Sequence, residues 1–159
     1  MSWTADYGTP CGVLINNARG ALPTRNAQRG TFPRAEEISG ERMRREGMYV
    51  KNIGCFGCSL SCGKVSRVLS GPFRGTVTEG PEYETIFALG SNCFNASLES
   101  IIKADTLCDK YGLDTISTGC TIAFAMECAE RKLLSPDQVG ELGTRLAFGN
   151  AEAVLKLIE

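Results

Sequence analysis

The sequence predicts a mainly α-helical fold with at most a small β-hairpin. From Pro81 onward, apolar residues recur at intervals of three and four, the spacing of helices with a buried face. β-Branched residues of strand type are grouped in one stretch, from Lys64 to Glu79. With 159 residues, of which 43% are hydrophobic and 22% charged, the chain can bury one core. We therefore predict a single domain over residues 1–159.

The first half of the chain predicts short helices between irregular segments. Thr9 to Ala18 is predicted as a short helix, because Gly20 and Pro23 prevent it from continuing. Ala35 to Glu46 has amphipathic spacing and is predicted as a second helix. A loop rich in cysteine follows, and the segment Ser70-Gly-Pro-Phe-Arg-Gly75 then supplies the turn of the predicted hairpin.

Helices account for the second half. Pro81 suits the first position of a helix, and Asn95 or Ser97 can cap the next one, from about Leu98 to Lys110. Gly112 stands where a helix commonly ends.

The remaining helices follow the same signals. Thr115 to Arg131 is apolar nearly all round, which predicts a helix buried on every side. Ser135 is a candidate cap with Pro136 at the first helical position, and Asn150 is a candidate cap for a last helix to about Ile158.

The most informative pattern is a C-x2-C-x3-C cluster in Ile53-Gly-Cys-Phe-Gly-Cys-Ser-Leu-Ser-Cys-Gly-Lys64. Cys55, Cys58 and Cys62, separated by glycines that let the backbone wrap closely, are typical ligands of a cuboidal iron–sulfur cluster. A disulfide would use two of the thiols and leave the third. Zinc is the alternative, although the chain has no second C-x2-C and no histidine.

The other cysteines are scattered, and we expect them to pack as small hydrophobic residues. They are Cys11, Cys93, Cys108, Cys120 and Cys128. Cys93 is also a candidate for a local fourth cluster ligand, because it follows Cys62 most closely along the chain.

Charge and hydropathy exclude several classes of partner. Seventeen basic and 18 acidic residues give a net charge of −1, and no basic tract indicates nucleic-acid binding. The longest apolar run, around Cys120 to Met126, is far shorter than the roughly 20 residues of a membrane span. The beginning of the sequence lacks a signal-peptide pattern, so we expect a cytoplasmic protein.

Five segments, in this order, resemble the tungsten- and molybdenum-pterin aldehyde:ferredoxin oxidoreductase family. They are Gly20-Ala-Leu-Pro-Thr-Arg-Asn26, Ala35-Glu-Glu-Ile-Ser-Gly-Glu41, the cysteine cluster, Glu79-Gly-Pro-Glu-Tyr-Glu-Thr85 and Asp109-Lys-Tyr-Gly-Leu-Asp-Thr-Ile-Ser117. The resemblance implies the first of two helical domains that cover a bis-pterin cofactor. The N-terminal domain under the pterin and the last helical domain are then absent from the sequence.

The resemblance implies an activity and its cofactors. Members oxidise aldehydes to carboxylates at tungsten or molybdenum and pass electrons through a 4Fe-4S cluster to ferredoxin. Three cluster ligands would be Cys55, Cys58 and Cys62, with a fourth cysteine in the last domain. The isolated domain is then expected to be inactive. The sequence does not distinguish tungsten from molybdenum, nor does it name the aldehyde.

The Asp-x-x-Gly-Leu motif at Asp109 resembles one of two family motifs, each of which binds a pterin. By resemblance, Asp109 accepts hydrogen bonds from the ring, while Gly112, Leu113 and Asp114 bring the backbone close to the cofactor. The alternative is an ordinary turn between helices with Asp109 on the surface. In the other family copy a cluster cysteine stands at the position that Asp114 occupies here.

Glu79, Glu82 and Glu84 are candidates for the acid–base group that the family places beside its metal. Glu82 and Glu84, the two that we assign, also lie where acidic residues simply favour the start of a helix. The chain lacks the histidine that some members use near the metal, and it lacks the Glu-x-x-His pair of some dimers.

Two further interpretations remain open. A formate dehydrogenase-like molybdopterin domain would need its fourth cysteine nearby, and Cys93 would have to serve. A non-catalytic zinc-binding or interaction module would use the same cysteine cluster and bind no pterin.

Overall fold

The computed structural model describes residues 3–140 and 142–159. Within these ranges the α-helices are α1 (Trp3–Tyr7), α2 (Gly12–Ala18), α3 (Gly40–Arg45), α4 (Tyr83–Leu89), α5 (Leu98–Tyr111), α6 (Thr115–Glu130), α7 (Pro136–Gly140) and α8 (Ala151–Ile158). Short 3₁₀ turns lie at Thr9–Cys11, Ala35–Ile38 and Ser91–Cys93. The mainly α-helical prediction is confirmed. No helix in the described ranges has the length and apolar character needed to cross a membrane.

A small antiparallel sheet interrupts the helices, in the order β1 (Tyr49–Ile53), β2 (Gly63–Arg67), β3 (Val77–Glu79). The predicted hairpin is present as β2 and β3. The sheet has one strand more than that hairpin, because β1 pairs with β2 through Lys51 opposite Val65 and Ile53 opposite Gly63. The three central residues of β1 are exposed, so it lacks the alternation that marks a half-buried strand.

The predicted helix from Ala35 to Glu46 is divided at Ser39. The backbone of Ser39 is extended, with φ −86° and ψ 156°, and its hydroxyl accepts the N–H of Arg42 at 3.1 Å. A serine in this position caps a new helix and does not continue the previous one. The result is a 3₁₀ turn followed by α3.

Helix α4 begins later than Pro81 predicts. Pro81 lies two residues before the helix, and Glu82 is the N-cap residue, with extended backbone. The N–H of Gly80 donates to the carbonyl of Lys64 at 2.7 Å, and the Ser66 hydroxyl donates to the carbonyl of Gly80. These bonds hold the segment against β2, so helical geometry begins only at Tyr83.

Helices α5 and α6 have the predicted spans to within one residue, and Gly112 ends α5 with φ 67°. The prediction that α6 is buried on every side is wrong for the described chain. Gly119, Ile122, Ala123 and Met126 are buried, whereas Phe124 is 60% exposed. The described chain covers only one face of this apolar helix.

Two clusters form the core. One lies under the sheet and the first helices and includes Val13, Phe32, Ile38, Met43, Val68, Ile86, Ile101 and Ile102. The other joins α4, α5, α6 and α8 and includes Leu89, Ala104, Leu107, Ile122, Met126, Val154 and Ile158. Because α4 and α5 contribute to both clusters, the sheet and the helical half are packed as one unit.

We expect Gly119→Ala to destabilise the fold by about 2 kcal/mol, because a Cβ at Gly119 would lie 2.5 Å from the Ala88 carbonyl carbon of α4. The free energy of unfolding from urea titration gives the measurement. Gly140→Ala is the matched control, since nothing lies within 4 Å of its Cβ position. Equal stability of the two variants would contradict close packing of α4 against α6.

Candidate functional site

The cysteine loop, residues 54–62, connects β1 to β2 at one end of the sheet. Its backbone turns back on itself, since the N–H of Cys58 donates to the carbonyl of Cys55 at 3.0 Å and Gly57 between them has φ 70°. Cys55 and Cys58 are exposed, Cys62 is half-buried, and all three thiols are free. A loop of this shape presents its sulfur atoms at the surface of the domain.

The three cysteines line one cleft of about 360 Å³. The other lining residues are Ile53, Gly54, Gly63, Glu79 and Glu82. The cleft therefore combines thiols with two carboxylates, which come from the end of β3 and the start of α4. Within the described ranges, no three His, Cys, Asp or Glu side chains are grouped to hold a metal ion.

Glu82 is fixed at the cleft by the N-terminal segment. Its Oε2 accepts a hydrogen bond from the Thr9 hydroxyl, and the Thr9 oxygen accepts the N–H of Tyr83 at 2.9 Å. The side chain of Glu82 does not cap α4, and the hydroxyl of Thr9 caps the helix in its place. One of the two carboxylate oxygens of Glu82 is oriented by this contact.

The three candidate glutamates have different surroundings. Glu79 and Glu82 line the cysteine cleft, whereas Glu84 is exposed in the first turn of α4. The residue after Glu84, Thr85, shares a hydrogen bond of 2.9 Å with Thr115. This bond joins the start of α4 to the start of α6, so Glu84 lies beside the turn that contains the Asp-x-x-Gly-Leu motif.

The turn between α5 and α6 has the geometry that the glycine indicates. Gly112 is left-handed, with φ 67° and ψ 34°, and no atom lies within 4 Å of its Cβ position. The N–H of Leu113 donates to the carbonyl of Cys108 at 2.9 Å. Asp109 and Leu113 are exposed on the two sides of this turn. The backbone at Gly112 is therefore open to close approach.

Asp114 caps α6. Its Oδ2 accepts the N–H of Ser117 at 2.7 Å, and these hydrogen bonds with Ser117 hold the pKa of the carboxyl below its usual value. Asp114 thus satisfies a backbone donor at the helix N-terminus and adds a negative charge there.

Cys93 lies in the core, away from the cleft lining. It is fully buried, and its thiol donates to the carbonyls of Ala88 at 3.3 Å and Gly119 at 3.5 Å. Burial raises the pKa of this thiol well above its usual value. The expectation that Cys93 could be a local fourth ligand is therefore wrong, because its thiol packs between α4 and α6.

Sequence analysis missed Asp105, a buried carboxyl in α5. Thr78 donates to its Oδ2 at 2.9 Å. Burial, with smaller contributions from the charges of Asp109 and Glu82, raises the pKa of Asp105 from 3.8 to about 6. One signal was available: Asp105 stands four residues after Ile101, on the buried face of the helix.

The fold and the cleft define a mainly helical domain with a thiol-bearing loop at one end of its sheet. The chain belongs to the aldehyde ferredoxin oxidoreductase family, because residues 1–159 match the family model described as aldehyde ferredoxin oxidoreductase, domains 2 and 3.

Curated relatives agree with this assignment. The chain is 46% identical over 153 residues to a tungsten-containing aldehyde ferredoxin oxidoreductase of Thermococcus kodakarensis. The matched segment covers 96% of the chain and 24% of the relative. It is 43% identical over 153 residues to the enzyme of that name from Pyrococcus furiosus, with the same coverage. An aliphatic sulfonate oxidoreductase, WOR-like subunit, of P. furiosus is 31% identical over 99% of the chain and 25% of its own length. The chain spans about a quarter of the length of these relatives.

Asp105 predicts a pH dependence of stability. Because its folded pKa, about 6, lies above the usual 3.8, the unfolded chain loses this proton first as the pH rises. The contribution of Asp105 to stability should therefore fall between pH 4 and pH 6, by about 3 kcal/mol at most. Urea titrations at pH 4, 5, 6 and 7.5 measure it as the difference between the profiles of Asp137→Asn, whose side chain is exposed, and Asp105→Asn. Asp105→Asn should lack this component of the fall, and Asp137→Asn should keep it. Parallel profiles for both variants would contradict the assignment.

Proposed function

We propose that the chain is one helical domain of a longer tungsten- or molybdenum-pterin enzyme that oxidises aldehydes to carboxylates and delivers electrons to ferredoxin. The supporting observation is the cleft, where three free thiols of a chain from this family face two carboxylates. The domain under the pterin and a last helical domain complete the enzyme. The free cysteines also fit a reducing compartment, the cytoplasm.

Cys55, Cys58 and Cys62 fit three corners of a 4Fe-4S cluster. Such a cluster binds each cysteine at a different iron, so its thiols need not converge on one point as the ligands of a single metal ion do. Three free thiols that line one cleft provide that donor set. The fourth ligand comes from outside this domain, because Cys93, the local candidate, is buried in the core. When bound, the metal–pterin centre would supply two-electron oxidation of the aldehyde, and a cluster held by Cys55, Cys58 and Cys62 would supply one-electron transfer.

Asp109 is assigned to pterin binding together with the turn that follows it. Its carboxylate is exposed at the end of α5, where it can accept two N–H donors from the edge of a pterin. The open backbone at Gly112 and the exposed Leu113 allow the ring to approach. Asp114 supports this arrangement by holding the first turn of α6.

Glu82 and Glu84 are assigned to acid–base chemistry. In Glu82, Oε2 is occupied by the Thr9 hydroxyl, which leaves Oε1 to accept a proton from the substrate. Glu84 lies next to the Thr85 contact with α6, on the side of the pterin-binding turn. The cleft and the oriented carboxylate favour Glu82 as the primary base.

The second candidate function is a non-catalytic zinc-binding module that uses the same three thiols. The formate dehydrogenase-like alternative is not favoured, because the thiol that it needs, Cys93, is buried and hydrogen-bonded in the core. Metal content separates the first proposal from the zinc alternative.

We expect about four irons per chain, with sulfur-to-iron charge-transfer absorption, when the whole enzyme is purified anaerobically. Replacing Cys55, Cys58 or Cys62 by Ser should lower the iron content and bleach the visible spectrum. Cys128→Ser is the control, since this half-buried cysteine of α6 lies outside the cleft. One zinc per chain without iron would instead support the zinc-binding module.

We expect Glu82→Gln to lower kcat for aldehyde oxidation by about 100-fold or more, with little change in KM, because a positioned base contributes that much. Glu84→Gln and Glu79→Gln are measured beside it in the metal-loaded enzyme. A larger loss of kcat in Glu84→Gln than in Glu82→Gln would assign the acid–base role to Glu84. Activities of all three variants within about threefold of the wild type would contradict the acid–base assignment.

A further inference from the structure

Lys64 is a buried lysine directly beneath the cysteine loop. It is the second residue of β2, two positions after Cys62, and it is 2% exposed. Its ammonium group donates to the carbonyl of Ser61 at 3.1 Å and to the carbonyl of Ala5 at 2.9 Å. One side chain therefore ties the end of the cysteine loop to helix α1.

This ammonium has no carboxylate partner within residues 3–140 and 142–159, where none of the ion pairs includes Lys64. Both of its hydrogen-bond acceptors are neutral backbone carbonyls. A buried charge without a counter-charge is costly, and buried charges in proteins are usually paired. The arrangement thus indicates that a negatively charged group binds on the side of the cysteine loop.

The N-terminal segment packs closely on the stem of Lys64. Gly8 has φ 70°, and a Cβ there would lie 2.8 Å from the carbonyl oxygen of Cys62 and 3.1 Å from Cγ of Lys64. The N-terminal segment thus closes over the stem of the lysine. The position of the charge relative to the loop is set by this contact and by the two carbonyl acceptors.

We propose that Lys64 is a positioning residue whose buried positive charge has the iron–sulfur cluster as its counter-charge. It fixes the end of the cysteine loop and raises the reduction potential of the cluster. This inference rests on the proposed function, because it requires a cluster on Cys55, Cys58 and Cys62.

The effect on the potential follows from charge. A thiolate-ligated cluster is anionic, and reduction adds one electron, so a nearby cation stabilises the reduced form more than the oxidised form. Burial keeps salt from screening this interaction. The electron comes from a one-electron reductant, such as dithionite in the test.

The test compares Lys64→Met, which removes the charge at similar length, with Lys64→Arg, which keeps it. Lys51→Met is the matched control, because Lys51 is an exposed lysine of the neighbouring strand β1. In the whole enzyme, the cluster is titrated with dithionite and redox mediators, and the reduced cluster is measured by electron paramagnetic resonance. This readout does not depend on aldehyde oxidation.

We expect Lys64→Met to lower the equilibrium constant for reduction about tenfold, which is 59 mV for one electron. Lys64→Arg and Lys51→Met should stay within about twofold of the wild type. If the wild type holds a cluster and Lys64→Met has the same potential as Lys51→Met, the inference is overturned and the proposed function stands. A wild type without iron overturns the proposed function, and this inference with it.

If Lys64→Met does not retain the cluster, its reduction potential cannot be measured. Hydrogen exchange of the metal-free proteins then tests whether Lys64 fixes the cysteine loop. Faster exchange in residues 54–62 of Lys64→Met, with wild-type exchange in Lys64→Arg, would support fixation of the loop by Lys64. Unchanged exchange of this loop in Lys64→Met would overturn it.

Discussion

The pairing of β1 with β2 determines where the other functional groups of the chain lie. Ile53 opposite Gly63 closes the base of the cysteine loop, and β2 then aligns β3 so that Glu79 reaches the same cleft. The hydrogen bond from Gly80 to Lys64 continues this alignment and delivers Glu82. A sheet of three short strands thus serves as the frame on which a mainly helical domain places thiols and carboxylates together.

The sequence predicts those parts of the fold that local chemistry determines. Asn150 caps α8, Ser97 caps α5 and Gly112 ends α5, because each satisfies backbone groups through its own side chain or its own φ angle. Strand β1 could not be predicted, since its pairing with β2 is tertiary and its exposed residues show no alternation. The break at Ser39 shows the same limit, because amphipathic spacing continues across a residue whose hydroxyl starts a new helix.

The residues of the candidate site also divide into those that the local sequence predicts and those that tertiary contacts determine. The cysteine spacing predicts a shared cleft because its three members are close in sequence, and Gly57 permits the turn. The selection of Glu82 over Glu84 for that cleft depends on Thr9, more than 70 residues away, which no local pattern contains.

The burial of helix α6 could not be predicted from its composition. Its apolar composition predicts burial on every side, and the described chain covers one face. In the proposed enzyme, further domains of the same polypeptide can cover the other.

The exposed position of the cysteine loop bears on how the protein matures. Cys55 and Cys58 are open to solvent while the helices and the sheet are already formed around two packed cores. In the proposed enzyme, iron and sulfide can therefore reach these thiols in the packed domain without any unfolding of its core. Packing of this domain and insertion of the proposed cluster can thus occur as separate steps.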